Sequence, residues 1–190
     1  MNILAIHLNP LKTTFHIGLA YIASILESRN NNVVYLFLSG LDKKTILQEV
    51  SRNKIELILI SVMSDSFELC KKIIAFINER TGIPILLGGI HPTICPEECI
   101  QLNGILGLCI GEGEYPVCEL VEAIENGRTY INIKNLWIKK NGVVYKNEAR
   151  ALIDDLDTLP QPNYEIFRRF KNFVILPVIL SRGCPFDCSY

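Results

Sequence analysis

The chain has 190 residues, 49% of them apolar and 21% charged, and its 19 lysines and arginines against 20 aspartates and glutamates leave a net charge of −1. Without a basic stripe it is not built to grip a polyanion, so neither DNA nor RNA is an expected partner. Seven cysteines, no signal-peptide pattern and no apolar run of membrane-spanning length predict a reducing cytoplasm, no disulfides and no membrane, with room for one α/β domain of about 150 residues and a remainder.

Five apolar runs of strand length recur over 3–8, 33–38, 57–62, 83–88 and 106–110. They are nearly continuous in Val, Ile and Leu, as strands buried on both faces of a parallel sheet must be. Between them, Ile17, Ala20, Tyr21, Ser24 and Ile25 return to one face every three to four residues. Leu69, Ile73, Ile74 and Ile77 do the same, and further helices are predicted over 43–52, 96–102 and 115–126. This alternation predicts a Rossmann-like, doubly wound sheet of five parallel strands with helices on both faces. Ligands of such sheets lie beyond the carboxyl ends of the strands, which directs attention to the loops 9–15, 61–66, 88–96 and 111–114.

The first loop opens with Asn9-Pro10. The third strand closes on Ser61-Val62-Met63, which sets a hydroxyl at the carboxyl edge, and Ser64 or Asp65 can cap the helix that follows. In Gly88-Gly89-Ile90-His91-Pro92-Thr93 the paired glycines either remove side chains where another group approaches the backbone or make a plain turn. Gly111-Glu112-Gly113-Glu114 imitates a dinucleotide fingerprint, but Pro116 stands where its third glycine belongs and the loop follows the last strand instead of the first. The dipole of the next helix is a sufficient reason for Glu114, and the two glycines remain available for close approach to a ligand. His91, Cys95 and Cys99 lack the fourth ligand and tight spacing of structural zinc. Cys70, Cys109 and Cys118 fall at apolar positions and read as small buried hydrophobes. The first strand lacks the paired acids of a phosphoacceptor site, and neither a P-loop nor a nucleophile elbow occurs.

Beyond Gly127, Asn141-Gly142 between two β-prone arms predicts a hairpin that extends or flanks the sheet. Acids and prolines without periodicity follow, as in an interdomain linker, and 173–180 reads as the first strand of another domain. The predicted division is 1–130, a hairpin over 131–150, a linker over 151–172 and the start of a second domain at 173–190. That last segment ends Ser181-Arg182-Gly183-Cys184-Pro185-Phe186-Asp187-Cys188. Thiolates are the soft ligands that iron–sulfur clusters select, yet by spacing alone Cys184 and Cys188 equally suit a zinc half-site or two indifferent thiols.

In order and spacing, Asn9-Pro10, Gly18-Leu19-Ala20-Tyr21-Ile22-Ala23, Ser61-Val62-Met63, Gly88-Gly89-Ile90-His91-Pro92-Thr93, Gly111-Glu112-Gly113-Glu114, Leu159-Pro160 and Ser181-Arg182-Gly183-Cys184 resemble the cobalamin-binding radical S-adenosylmethionine enzymes. The resemblance implies that 1–130 binds cobalamin, with the corrin over the carboxyl ends of the strands and its dimethylbenzimidazole tail in a slot near Ser61 and Gly88-Gly89. By it, Asn9, Pro10, Ser61, Val62, Met63, Gly88, Gly89, His91, Gly111, Glu112 and Gly113 become candidate cofactor contacts. Cys184 and Cys188 become ligands of a [4Fe–4S] cluster that binds S-adenosylmethionine, with a third cysteine expected just after Tyr190. None of His7, His16 and His91 sits in the D-x-H-x-x-G motif of classical cobalamin domains, so cobalt is expected to lack a histidine ligand of that kind. The implied activity is radical chemistry ending in methyl transfer or ring formation on a small molecule, with these 190 residues alone binding cobalamin without catalysing. Rival readings are a non-catalytic cobalamin or flavin binding module, which has no use for the cysteine tail, and a zinc-stabilised interaction domain.

Overall fold

A computed structural model describes residues 1–9, 17–164, 178–179, 181–183 and 186. Its elements are β1 (Asn2–Leu8), α1 (Ile17–Ser28), β2 (Asn32–Leu38), α2 (Lys43–Arg52), β3 (Leu57–Ser61), α3 (Phe67–Arg80), β4 (Ile85–Gly88), α4 (Ile90–Ile94), α5 (Pro96–Ile100), β5 (Gly107–Cys109), α6 (Glu114–Glu125), β6 (Leu136–Lys140) and β7 (Val143–Lys146). The sheet runs β2-β1-β3-β4-β5-β6-β7, parallel as far as β5 and antiparallel thereafter.

Strand β1 lies between β2 and β3, and its side chains divide between two cores. Leu4, Ile6 and Leu8 pack with Ile46 of α2 and Ile73 and Ile77 of α3, whereas Ile3 and Ala5 pack with Leu26 of α1 and Val117 and Leu120 of α6. Successive strand residues face opposite sides, so a strand covered on both must be apolar throughout. Each Leu or Ile so enclosed contributes about 1.5–3 kcal/mol relative to exposure. Among the described residues no helix is long and apolar enough to cross a membrane.

The five expected parallel strands are present, and the hairpin extends the sheet at its β5 edge, which brings it to seven strands. Leu108 pairs with Trp137, and Leu136 and Ile138 are completely buried. Gly107 makes the junction possible, since a Cβ there would lie 2.1 Å from the Trp137 carbonyl oxygen. Asn141 (φ 53°) and Gly142 (φ 76°) both take positive φ, the type I′ signature of a two-residue hairpin turn.

Smaller differences follow from local chemistry. Part of the stretch read as the loop 88–96 coils into α4 ahead of α5. Neither Ser64 nor Asp65 caps α3; Ser66 Oγ accepts from the Met63 N–H at 3.0 Å, and Ser64 Oγ lies 3.1 Å from His91 Nδ1. In the stretch read as linker, Leu159 is buried and Ile153 and Leu156 pack against the core under α1 and α6. The strand expected over 173–180 falls almost wholly outside the described residues.

Candidate cofactor-binding site

The α1 and α6 face of the sheet opens, at the carboxyl ends of β3, β4 and β5, into a cavity of ≈ 250 Å³. Strand periodicity supplies its floor: Leu59 and Ser61 on β3, and Leu86 and Gly88 on β4, are alternate residues on one face. Leu19 and Ile22 of α1 and Val117 of α6 close the sides, so the interior is mostly hydrocarbon with the Ser61 hydroxyl among its polar groups. Cys109 of β5 adds to the wall; its thiol is pushed up to about 12 by burial and is neutral.

Three glycines shape this space in different ways. A Cβ at Gly113 would lie 2.7 Å from Ile22 Cδ1, so glycine lets the start of α6 approach α1. At Gly89, with φ 98° and ψ −170°, a Cβ would lie 2.8 Å from the Val62 carbonyl oxygen and 2.9 Å from its nitrogen. The crowding group is thus the protein's own backbone. At Gly88 a Cβ would meet only Cys109, at 3.7 Å or beyond, so the room over Gly88 belongs to the cavity.

The loop after β5 forms the polar rim. Glu112 Oε1 accepts from Arg182 Nη1 at 2.9 Å and Glu114 Oε1 from Arg182 Nη2 at 2.6 Å, while the guanidinium lies 5.1 Å from the centre of the Tyr21 ring. Burial opposes the Arg182 charge, but the hydrogen bonds with Glu114 and Glu112 outweigh it and raise its pKa. The helix dipole is therefore not the whole account of Glu114, whose side chain is only 4% exposed. Glu112 Oε2 accepts from the Ile153 N–H at 2.8 Å. Asn135, buried and at φ 69°, donates from Nδ2 to the Glu112 carbonyl at 3.1 Å and accepts from the Arg150 N–H at 2.6 Å. Thr93 joins two loops, its Oγ1 accepting from the Gly111 N–H at 3.0 Å and donating to the Gly89 carbonyl at 2.9 Å.

Of the residues singled out in the sequence, Ser61, Gly88, Gly89, Gly111, Glu112 and Gly113 line this one cavity. Val62 does not: one position after Ser61 it turns into the opposite core. Met63 lies in the bend after β3, its N–H held by Ser66. His91 is buried on the opposite side, its ring 4.2 Å from that of Phe67. Asn9 prolongs the β1–β2 ladder by donating its N–H to the Leu38 carbonyl at 2.9 Å. Pro10, His16, Cys184 and Cys188 lie outside the described residues. Cys99 is enclosed in the core, and among the described residues no three His, Cys, Asp or Glu side chains gather to hold a metal. Sequence reasoning included Ile22 in a family motif without giving it a role, and missed Val117, Asn135 and the partners of Arg182. For Asn135, an asparagine just before a strand, a residue type tolerant of positive φ, was the available signal.

A parallel sheet covered on both faces, with a glycine-built apolar slot at its carboxyl edge, defines a Rossmann-like cofactor-binding protein. The family model of the B12 binding domain matches residues 5–121, and the chain belongs to that family. It is 32% identical over 187 aligned positions to an uncharacterized methyltransferase of Pyrococcus horikoshii, covering 92% of this chain. It is 23% identical over 188 residues to the anaerobic magnesium-protoporphyrin IX monomethyl ester cyclase of Rubrivivax gelatinosus, covering 90% of this chain. It spans only 39% and 33% of these two relatives. Among solved structures, the cobalamin-dependent S-adenosylmethionine radical enzyme OxsB with aqua-cobalamin and S-adenosylmethionine bound superposes with a TM-score of 0.74 at 17% identity, over 87% of this chain and 24% of that one. The radical S-adenosylmethionine methyltransferase TsrM of Kitasatospora setae, with cobalamin and a [4Fe-4S] cluster bound, gives 0.69 at 21% identity, over 85% of this chain and 31% of that one. At these identities the two structures speak for the fold.

The cavity fits the group that the family implies. It lies just below the range of about 300–1,000 Å³ typical of small-molecule pockets, too small to engulf a whole corrinoid and suited to one flat aromatic appendage. Its apolar walls match such a ring. Neither His7, in β1 with its ring 5.1 Å from that of Phe37, nor His91 lines it.

Proposed function

We propose that this chain is the cobalamin-binding part of a cytoplasmic radical S-adenosylmethionine enzyme of the methyltransferase or cyclase type. The observation that carries the reading is the apolar slot over Gly88, at the carboxyl edge of a sheet whose family is the B12 binding domain. Bound cobalamin supplies the cobalt chemistry of group transfer. Ile22, Leu59, Leu86 and Val117 exclude water from the nucleotide base of the cofactor, Gly88 and Gly113 leave room for it, and the Ser61 hydroxyl offers a hydrogen bond within the slot. Cys184 and Cys188 are the proposed cluster ligands, on the strength of the resemblance that Ser181-Arg182-Gly183-Cys184 bears to the cluster motif of the radical enzymes. Substrate selection falls to parts of the protein beyond this cavity, in keeping with the share of its relatives that the chain spans.

The test is to mix the purified chain with excess hydroxocobalamin, desalt it and record the visible spectrum of the protein peak, beside a Gly88→Leu variant. The Cβ of a leucine here meets only Cys109, at 3.7 Å or beyond, on the wall of the slot. Near-stoichiometric corrin bands in the parent and their loss in a variant of unchanged thermal midpoint support the reading. Well-folded parent protein that carries no corrin overturns it.

A further inference from the structure

Glu112 and Glu114 are two nearly buried carboxylates on one loop, with side chains 15% and 4% exposed. Taking such groups from water is costly without a cation, and the cation comes from a position 68 to 70 residues further along the chain. Arg182 is itself only 20% exposed, divides its two terminal nitrogens between the two acids and covers the Tyr21 ring. This is the pre-organised fork geometry that distinguishes arginine from lysine, not an exposed ion pair of little worth. Ile179, three residues earlier, lines the same cavity, so the segment supplies both an apolar and a charged part of its wall. The free oxygen of Glu112 holds the Ile153 N–H, so one carboxylate ties down two separate stretches of chain.

We infer that Arg182 is a positioning residue, which clasps the segment leading into Cys184 onto the cavity wall through Glu112 and Glu114. That the cavity seats cobalamin rests on the function proposed above; the clasp does not.

Amide hydrogen exchange of the 178–183 peptide, followed by mass spectrometry in ligand-free protein, tests the clasp. The parent is compared with Arg182→Gln, Glu114→Gln and Arg182→Lys, alongside the thermal midpoint of each. Loss of a doubly charge-assisted clasp in Arg182→Gln is expected to speed exchange of this peptide about tenfold or more while peptides from β1 and β3 keep their protection. Arg182→Lys, keeping the charge but not the fork, is expected to fall between. Glu114→Gln provides the same test from the other side of the contact and leaves the segment's own sequence intact. Exchange of 178–183 unchanged in both Arg182→Gln and Glu114→Gln overturns the inference. Repeating the exchange with hydroxocobalamin separates the two readings. If corrin fails to bind the parent, the proposed function falls, and the ligand-free comparison still decides the clasp.

Discussion

Adjacent glycines at the end of β4 should answer substitution in opposite ways. At Gly89, φ 98° with ψ −170° is a region open essentially to glycine, and forcing alanine into it costs about 1–3 kcal/mol. The new methyl would also stand 2.8 and 2.9 Å from backbone atoms of Val62, whose N–H is bonded to the Gly88 carbonyl and which cannot swing aside as a side chain would. Overpacking of this kind adds about 1–3 kcal/mol, so Gly89→Ala is expected to lose about 4 kcal/mol. For a chain of this length that lowers the thermal midpoint by about 8–16 °C. At Gly88 the methyl meets only ordinary contacts, and Gly88→Ala is expected to change stability by less than about 1 kcal/mol. Its effect should fall on hydroxocobalamin affinity. Urea or thermal denaturation of the two variants, read by far-ultraviolet circular dichroism, checks the contrast. Equal losses, or a Gly89→Ala loss below about 1 kcal/mol, would refute the assignment of Gly89 to the backbone and Gly88 to the cavity.

Three further outcomes follow from the same contacts. Asn135→Ala removes two hydrogen bonds and strands the Arg150 N–H and Glu112 carbonyl at a positive-φ position, so urea titration should show a loss of about 3 kcal/mol, with Asn135→Gly about 1 kcal/mol milder because φ is no longer strained. Gly107→Ala drives a methyl against the Trp137 carbonyl and should part β5 from β6, and fluorescence of Trp137, the chain's single tryptophan, should then shift to the red. Burial pushes the Cys70 and Cys109 thiols up to about 12, so the folded chain keeps their protons at a pH where the unfolded chain releases them. Stability should therefore be intact below about pH 9 and fall as pH rises towards 12, by at most about 1.4 kcal/mol per pH unit for each thiol. Cys70→Ala and Cys109→Ala should flatten that slope in denaturant titrations across the window, and an unchanged slope would refute the burial argument.

The sheet was legible because its information is local: runs such as 57–62 are too apolar for anything but a strand covered on both faces, and Asn141-Gly142 marks its own turn. Where the hairpin docks was not legible, since that depends on Gly107 meeting the Trp137 carbonyl, a contact between residues 30 apart. The same limit divides the site. Ser61 and Gly88 were found because the carboxyl edge of a parallel sheet is a place the fold dictates. Val62 stands in the motif of Ser61, and His91 in that of Gly88, but both face the other core, as the alternation of side chains along a strand and the coiling of α4 require. Arg182 stood in plain view within a motif, yet its partners lie across a gap no periodicity bridges.

The Glu112 carboxylate has a practical meaning for anyone who divides this chain. A piece ending at residue 130 would keep every parallel strand, yet it would leave the β5 edge bare, the Glu112 carbonyl without Asn135 and its side chain without Ile153 or Arg182. Such a piece is expected to be sticky along the opened edge and poor at holding a ligand. The smallest portion worth expressing alone therefore runs past Leu159, buried under α1 and α6, to Arg182, whose contacts with Glu112 and Glu114 are the last described seam joining the later chain to the cavity.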